Sequence, residues 1–444
     1  MKKRLLLTTF TGLICLVLAQ TVFASEGVGH GASPLVLIGL AVILLLSNFF
    51  SEIFQYFGQP SVLGELIAGI FLGNLILVGV DYAEPLKTDV VIQTLAQLGI
   101  IILLFEVGLE TDFDEMKKVG LSSFLVAVIG VIAPFLLGWI VAKIFLADKA
   151  TLSHIFIAAM LCATSIGITA RVFKDMGKIN AREAQIILGA AVIDDVLALL
   201  VLAVVEGAIF SQANGTSLEI MTFAMIALKA IGFLILSILL GKFLVPQLFK
   251  LIKNFESKGM ILGLSLAICF LYAWAASMVG LAAIIGAFAA GLALEDATFE
   301  HFIDHKKHQL EDFLSPLSTI LAPIFFVSVG MKVNLSSFGK PELLLFAGAL
   351  TLAAVLGKQA CSLGALDKGL NKLAIGFGMI PRGEVVLFFA TVGSTLMLPN
   401  IKGVSEAVID SSTFSAIVIL VMLTALITPP ALKWALNRNE QEKV

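Results

Sequence analysis

Long apolar segments separated by short polar loops dominate the hydrophobic pattern of this chain. A membrane-spanning helix needs roughly 20 predominantly apolar residues, and thirteen segments after residue 30 approach or exceed that length. The predicted spans are 34–57, 60–79, 90–109, 120–146, 153–173, 184–210, 218–246, 259–278, 281–295, 313–333, 341–364, 370–397 and 411–434. This pattern predicts an all-α polytopic membrane protein, with no stretch suited to a soluble domain.

The composition supports the same class and excludes several functions. The chain has 444 residues, of which 59% are hydrophobic and only 14% are charged, so it differs from any soluble globular domain. The charged residues form no basic stripe, and we therefore expect no nucleic-acid partner. The four cysteines are Cys15, Cys162, Cys269 and Cys361. Their scattered positions predict buried free thiols rather than a metal site, and nothing indicates a cofactor.

The first residues are typical of a secretory signal peptide. Lys2, Lys3 and Arg4 precede an apolar stretch that ends near Leu18, and small residues around Ala24 suit cleavage. We interpret residues 1–24 as a signal peptide whose removal leaves the new N-terminus outside. The alternative is an additional helix that is retained.

The distribution of basic residues predicts the orientation, because cytoplasmic loops are enriched in Lys and Arg. With the N-terminus outside, the cytoplasmic loops and the tail at 435–444 carry Lys117, Lys118, Lys174, Lys178, Arg182, Lys250, Lys253, Lys258, Lys306, Lys307, Lys368, Lys372, Arg438 and Lys443. The opposite loops carry little more than Lys87, Lys149, Lys340 and Lys402. We therefore expect a cytoplasmic C-terminus, in a bacterial inner membrane or a comparable one.

Two pairs of segments repeat with one shared spacing. Residues 64–72 resemble 286–294, and 104–109 resemble 326–331, both at an offset of about 222 residues. With the predicted topology, the matched spans cross the membrane in opposite directions. This is the pattern of an inverted-topology repeat, which many secondary transporters contain.

Asp194 and Asp195 lie in the middle of the apolar stretch 186–205. A charged side chain at this depth costs several kcal/mol on most scales, so two adjacent carboxylates favour a wet, ion-binding site. The alternative is a structural acid that hydrogen-bonds a neighbouring helix. We interpret the pair as a site where protons and a cation compete for the same oxygens.

Two further spans contain residues that favour interrupted helices. Thr164 and Ser165 belong to a run of small hydroxyl residues, which either support an unwound segment or allow tight helix packing. In the twelfth span, Pro381 and Gly383 stand next to Arg382 and Glu384, as expected for a broken helix beside an Arg–Glu pair. Because position 386 lies 222 residues after Thr164, the two breaks are predicted to correspond.

Lys358 is the most deeply placed basic residue for which a partner can be named. About six apolar residues separate it from the next loop, so we expect it to pair with Asp194 or Asp195. Lys332 is the competitor, although its position near a span end suits snorkelling. The roles of Glu65, Glu106, Lys229 and the loop histidines His301, His305 and His308 stay open; for the histidines, a solvated loop is favoured over a pH sensor.

Together, these motifs resemble the monovalent cation:proton antiporter-2 family. The matching stretches, which run in order along nearly the whole chain, are 59–65, 105–110, 163–165, 193–195, 357–358 and 381–384. The resemblance implies a thirteen-helix antiporter fold with two crossing broken helices. It also implies a homodimer, with a dimerisation domain at 34–110 and 218–333 and a mobile core domain at 120–210 and 341–434.

The resemblance further implies roles for individual residues. Asp195 is the main ion-binding carboxylate, and Asp194 is a second acid that pairs with Lys358 when no cation is bound. The implied activity is electrogenic exchange of Na⁺ or Li⁺ for H⁺ by a transporter rather than an enzyme, with K⁺/H⁺ exchange as the alternative. Relatives that export K⁺ often carry a further nucleotide-binding domain, which this chain does not contain.

The residues themselves suggest how such a site works. Asp194, Asp195, Thr164 and Ser165 offer oxygen ligands for Na⁺, while Lys358, Arg382 and Glu384 balance charge around them. An intramembrane aspartyl protease needs its two acids on facing helices, whereas these are adjacent. A passive cation channel is the remaining alternative, but it explains neither a buried lysine nor two corresponding breaks.

Overall fold

The computed structural model describes residues 34–78, 84–110, 120–178, 181–213, 220–251, 258–301, 305–367, 369–400 and 404–441. The predicted signal peptide lies outside these residues.

Within the described residues the fold is helical apart from one small hairpin, as the hydrophobic pattern predicts. The helices are α1 (Pro34–Tyr56), α2 (Ser61–Gly73), α3 (Glu84–Thr88), α4 (Val90–Glu110), α5 (Leu121–Phe145), α6 (Thr151–Met160), α7 (Ile166–Asp175), α8 (Arg182–Ala213), α9 (Ile220–Leu251), α10 (Lys258–Met278), α11 (Ala283–His301), α12 (His305–Met331), α13 (Pro341–Cys361), α14 (Lys372–Gly378), α15 (Glu384–Gly393) and α16 (Ser411–Gln441). Strands β1 (Met397–Pro399) and β2 (Ser405–Ala407) pair in antiparallel fashion between α15 and α16.

Nine of the described helices are long and apolar enough to cross a membrane. Four shorter apolar helices accompany them, at Ser61–Gly73, Thr151–Met160, Ala283–Glu295 and Glu384–Gly393. The chain is therefore a multi-pass membrane protein, and the number of thirteen spans stays a prediction. The helices leave much apolar surface outward, as expected where lipid is the solvent.

The chain divides into two compact units. Unit 1 contains the described residues up to Leu103 together with Ser315–Lys340, and unit 2 contains Leu104–Leu314 and Pro341–Val444. This division does not test the predicted dimerisation and core domains, which stay predictions.

Each unit contains one close contact between repeat-matched glycines. In unit 1, Gly69 packs on Gly330, and a side chain at Gly69 would overlap the backbone of Val327. In unit 2, Gly108 packs on Gly291, and a side chain at Gly291 would overlap the backbone of Phe105. The four glycines are related by the same offset of about 222 residues, so the two contacts are equivalent in the repeat.

The inner part of unit 2 is built around α5, which packs against α6, α8 and α13. The contact with α13 is close because Gly357 lies against Pro134: a Cβ at Gly357 would stand 2.7 Å from Pro134 Cα. At one end of these helices, Arg182 binds Asp367 (3.1 Å), and Ser122 donates to the same carboxylate (3.2 Å). All three residues belong to loops or helix starts that the charge pattern places on the cytoplasmic side.

At the other end, Lys149 joins three segments. Its ammonium lies 3.1 Å from Glu406 and 3.1 Å from Asp410, and it donates to the carbonyl of Ala407 (3.2 Å). Asp410 also accepts the Thr413 amide (2.8 Å), which caps the start of α16. Partial burial alone would raise the pKa of Asp410, but the Thr413 amide and the Lys149 ammonium outweigh it and hold that pKa below its usual value.

A small pH-dependent contribution to stability follows from this cluster. Because the folded-state pKa of Asp410 is below the unfolded value of about 4, its contribution is present above that pH and is lost as the pH falls through the folded pKa. Asp410→Asn, which keeps a capping side chain, should melt slightly below wild type at pH 7, by less than about 1 kcal/mol because the carboxylate is partly exposed. Melting temperatures should converge as the pH falls below about 4.

The matched control is Asp148→Asn, which removes an exposed acid from the same loop region. It should leave the melting temperature unchanged. A gap between wild type and Asp410→Asn that persists at low pH would show that the charge of Asp410 is not the cause.

Candidate ion-binding site

Two interrupted helices meet at the centre of unit 2. The first break lies between α6 and α7 and the second between α14 and α15. The Ser165 amide donates to the Pro381 carbonyl (2.9 Å), and the Thr169 hydroxyl donates to the Gly378 carbonyl (2.6 Å). The breaks predicted from the sequence are therefore present, and each satisfies backbone groups that the other leaves free.

The residues at the breaks explain why the helices stop there. Pro381 has no amide hydrogen to continue the helical pattern. Gly383 allows the two breaks to approach, since a Cβ there would stand 2.7 Å from Ser165 Cβ and Oγ. The breaks are 218 rather than 222 residues apart when Ser165 is paired with Gly383, so the two halves differ by about one helical turn at this point.

An ion pair between Lys358 and Asp194 lies beside the breaks. Lys358 Nζ is 2.8 Å from Asp194 Oδ1, and neither side chain has any exposed surface. This is the partner that the sequence analysis predicts for the lysine. Among the described residues, the second carboxylate oxygen, Asp194 Oδ2, has no hydrogen-bond donor.

Asp195 differs from its neighbour in exposure. Adjacent residues of a helix point about 100° apart, so Asp195 cannot share the lysine, and its side chain is half-buried. The charges of Asp194, Glu384 and Lys358 act on it. Within the described part of the chain we find no hydrogen bond or ion pair to Asp195, so its oxygens stay available.

Arg382 and Glu384 do not form the ion pair that the sequence analysis predicts. Arg382 is fully buried and reaches Thr164 Oγ1 (3.5 Å) and the Met379 carbonyl (3.4 Å), whereas Glu384 accepts from Ser165 Oγ (3.3 Å). That expectation is wrong because Arg382 lies in the break while Glu384 begins α15, and each meets a different residue of the first break. Arg382 Nε and Nη2 have no acceptor among the described residues.

Thr164 and Ser165, the predicted hydroxyl ligands, are both buried at the first break. Their hydroxyls contact residues of the second break rather than either aspartate: Thr164 lies 3.5 Å from the Met379 carbonyl, and Ser165 meets Glu384. The structure thus brings all seven predicted residues into one region, linked in three groups. Asp194 joins Lys358, Thr164 joins Arg382, and Ser165 joins Glu384.

Comparison with known proteins assigns this architecture. The family model described as the transmembrane part of sodium/hydrogen exchangers matches residues 35–438. The chain belongs to the sodium/hydrogen exchanger family. The expectation of a cation:proton antiporter fold is therefore confirmed.

Several relatives of this exchanger match along most of their length. The high-affinity Na⁺/H⁺ antiporter NhaS3 of Synechocystis sp. is 36% identical, with 93% of each chain covered. The Na⁺/H⁺-K⁺ antiporter GerN of Bacillus cereus is 34% identical, covering 90% of this chain and 96% of that protein. The solved structure of the sodium proton antiporter MjNhaP1 from Methanocaldococcus jannaschii has the same fold, with a TM-score of 0.70 at 20% identity over 90% of this chain and 97% of that one.

Two residues of the exchanger's site are missed by sequence reasoning. Gly130 on α5 lies against the ion pair: a Cβ there would stand 3.3 Å from Lys358 Nζ and 3.7 Å from Asp194 Oδ1. The Thr424 hydroxyl accepts the Arg382 backbone amide (3.3 Å) and so holds the second break to α16. A glycine and a threonine in apolar helices carry no polar signal strong enough to single them out.

The remaining charged residues of the spans lie apart from the linked groups of the site. Glu65 is buried in unit 1 and accepts from Ser51 (3.4 Å), Lys332 is half-buried just beyond α12, and Lys229 is exposed on α9. Sequence reasoning also overlooks Glu206, a buried acid on α8 for which the described residues offer no hydrogen-bond partner. The described cysteines, Cys162, Cys269 and Cys361, are buried and free, as predicted.

Proposed function

We propose that this chain exchanges Na⁺, or Li⁺, for H⁺ across the membrane, with Asp195 as the main ion-binding carboxylate and Asp194 as the second. The observation that carries the proposal is the buried Lys358–Asp194 pair next to the half-buried Asp195, beside two interrupted helices. The relatives named as Na⁺/H⁺ antiporters at 34–36% identity support the choice of ions.

Exchange follows from competition for the same oxygens. Na⁺ needs several oxygen ligands, and the two carboxylates, the hydroxyls of Thr164 and Ser165 and the carbonyls freed at the breaks supply them. A proton on Asp195 removes the negative charge that Na⁺ requires. Because the two ions exclude each other, each crossing carries one or the other.

The surrounding charges let the site bind a cation at membrane depth. Arg382 and Glu384 place one charge of each sign at the breaks, where half-helix ends add partial charges of their own. In the Na⁺-free state, Lys358 compensates Asp194, since a lone buried carboxylate is far costlier than a paired one. When Na⁺ takes over Asp194, Lys358 can give up its proton, which makes the cycle electrogenic.

Alternating access comes from motion of the core domain in this proposal. The equivalent glycine contacts Gly69–Gly330 and Gly108–Gly291 support an internal repeat, and inverted repeats underlie alternating access in many transporters. The core comprises residues 120–210 and 341–434, and residues 34–110 and 218–333 hold two copies together as a homodimer. The N-terminus lies outside and the C-terminus in the cytoplasm.

Proteoliposomes containing a pH-sensitive dye test the exchange itself. An imposed gradient of Na⁺ or Li⁺ should move protons in the opposite direction without any added shunting ion. A signal that requires a shunting ion such as valinomycin with K⁺ would identify a channel instead. No proton movement with any of these cations would contradict exchange.

K⁺ is the second candidate cation, because the relative GerN is named a Na⁺/H⁺-K⁺ antiporter. The same vesicles distinguish the two ions. Half-maximal rates should occur at a much lower concentration of Na⁺ than of K⁺, and the reverse order would assign K⁺/H⁺ exchange.

A further inference from the structure

Gly130 lies where the only space for a side chain is occupied by the ion pair. A Cβ built on Gly130 would stand 3.3 Å from Lys358 Nζ, 3.4 Å from Cys361 Cβ and 3.7 Å from Asp194 Oδ1. The first of these distances is shorter than an ordinary contact between a methyl group and nitrogen. A residue larger than glycine would therefore push the ammonium away by a few tenths of an ångström.

The ion pair is sensitive to a displacement of that size. Lys358 Nζ and Asp194 Oδ1 are 2.8 Å apart, the length of a charge-assisted hydrogen bond, and both side chains are fully buried. In a low-dielectric interior, such a bond depends strongly on its length and alignment. A methyl group beside the ammonium also covers a charge with apolar surface, which weakens the pair further.

We propose that Gly130 is a positioning residue that sets the strength of the Lys358–Asp194 pair, and through it the apparent affinity for the transported cation. This rests on the proposed function, in which Lys358 and Na⁺ compete for Asp194. A weaker pair lets Na⁺ displace the lysine at a lower concentration. Gly130→Ala should therefore lower the apparent KM for Na⁺ by about threefold to tenfold.

The direction of this change separates positioning from damage. A loosened site holds its ligands less well, so a packing defect should raise the apparent KM. Gly357→Ala is the reference for such a defect, because its Cβ would stand 2.7 Å from the Pro134 backbone. Gly348→Ala on α13 is the matched control, because its Cβ would meet nothing within 4 Å and activity should be unchanged.

The experiment titrates Na⁺ against proton movement in proteoliposomes of wild type, Gly130→Ala, Gly348→Ala and Gly357→Ala. It is paired with the Na⁺-induced rise in melting temperature in detergent, which needs no turnover. In a Lys358→Gln background, the Gly130→Ala change should have no further effect on the Na⁺ dependence of melting, because the competing ammonium is gone.

Each outcome is decisive. An apparent KM in Gly130→Ala that equals or exceeds that of Gly348→Ala overturns the inference, as does an undiminished effect in the Lys358→Gln background. If Gly130→Ala fails to fold, the double variant with Lys358→Gln should fold again, and its failure also overturns the inference. If wild type moves no protons with Na⁺, the proposed function fails instead.

Discussion

Asp195→Asn should abolish Na⁺/H⁺ exchange while leaving the protein folded. The amide has nearly the same shape as the carboxylate but can neither release a proton in the working pH range nor offer Na⁺ a negative charge. Asp195 has no ion-pair or hydrogen-bond partner among the described residues and is half-buried, so the substitution leaves no neighbour unpaired. We expect exchange to fall below the detection limit of a pH-dye assay, with a melting temperature close to that of wild type.

Glu206→Gln is the matched control for this substitution. Glu206 is a buried acid on the same helix, eleven residues after Asp195 and thus three turns away. Removing its charge should leave exchange measurable. Normal exchange by Asp195→Asn vesicles would place the ion-binding carboxylate elsewhere.

Lys358→Gln should lower the stability of the protein and change how exchange responds to voltage. The ammonium is the one ion-pair partner of Asp194 in the described residues, and both side chains are fully buried. Removing one member of a buried pair typically costs about 3–5 kcal/mol, because the remaining charge is left uncompensated. Exchange should weaken, and its dependence on membrane potential should shrink because the lysine no longer carries a proton.

Melting temperatures and currents on solid-supported membranes measure the two effects together. Lys229→Gln is the control, since Lys229 is a lysine of another apolar helix whose side chain is exposed. It should leave both quantities close to wild type. Unchanged currents and unchanged stability in Lys358→Gln would exclude Lys358 as the partner of Asp194.

The parts of the fold that were predictable are those with a large energetic signal. Apolar runs locate the membrane helices because any exposed polar group in lipid is costly. The ends of the helices were harder: the predicted span 60–79 contains α2, which ends at Gly73, followed by a short 3₁₀ segment at Leu75–Val78. The β1–β2 hairpin was also missed, since strands of three residues leave no period in the sequence.

The same rule explains which features of the site were predictable. Lys358 and Asp194 could be paired from sequence because each alone is prohibitive in a membrane. The Arg382–Glu384 pair was wrong because closeness in sequence does not fix where side chains point at a break. Gly130 could not be found, because a glycine that makes room for a charge resembles any other glycine in an apolar helix.

Competition between Na⁺ and protons for the same carboxylates is tested most directly by initial rates of exchange over a grid of pH and Na⁺ concentration. If one carboxylate binds either ion, the apparent KM for Na⁺ should rise by up to about tenfold for each unit that the pH falls below the point where the site is protonated. The maximal rate at saturating Na⁺ should stay constant over the same range. An apparent KM that does not change with pH, with a maximal rate that falls instead, would contradict competition at Asp194 and Asp195.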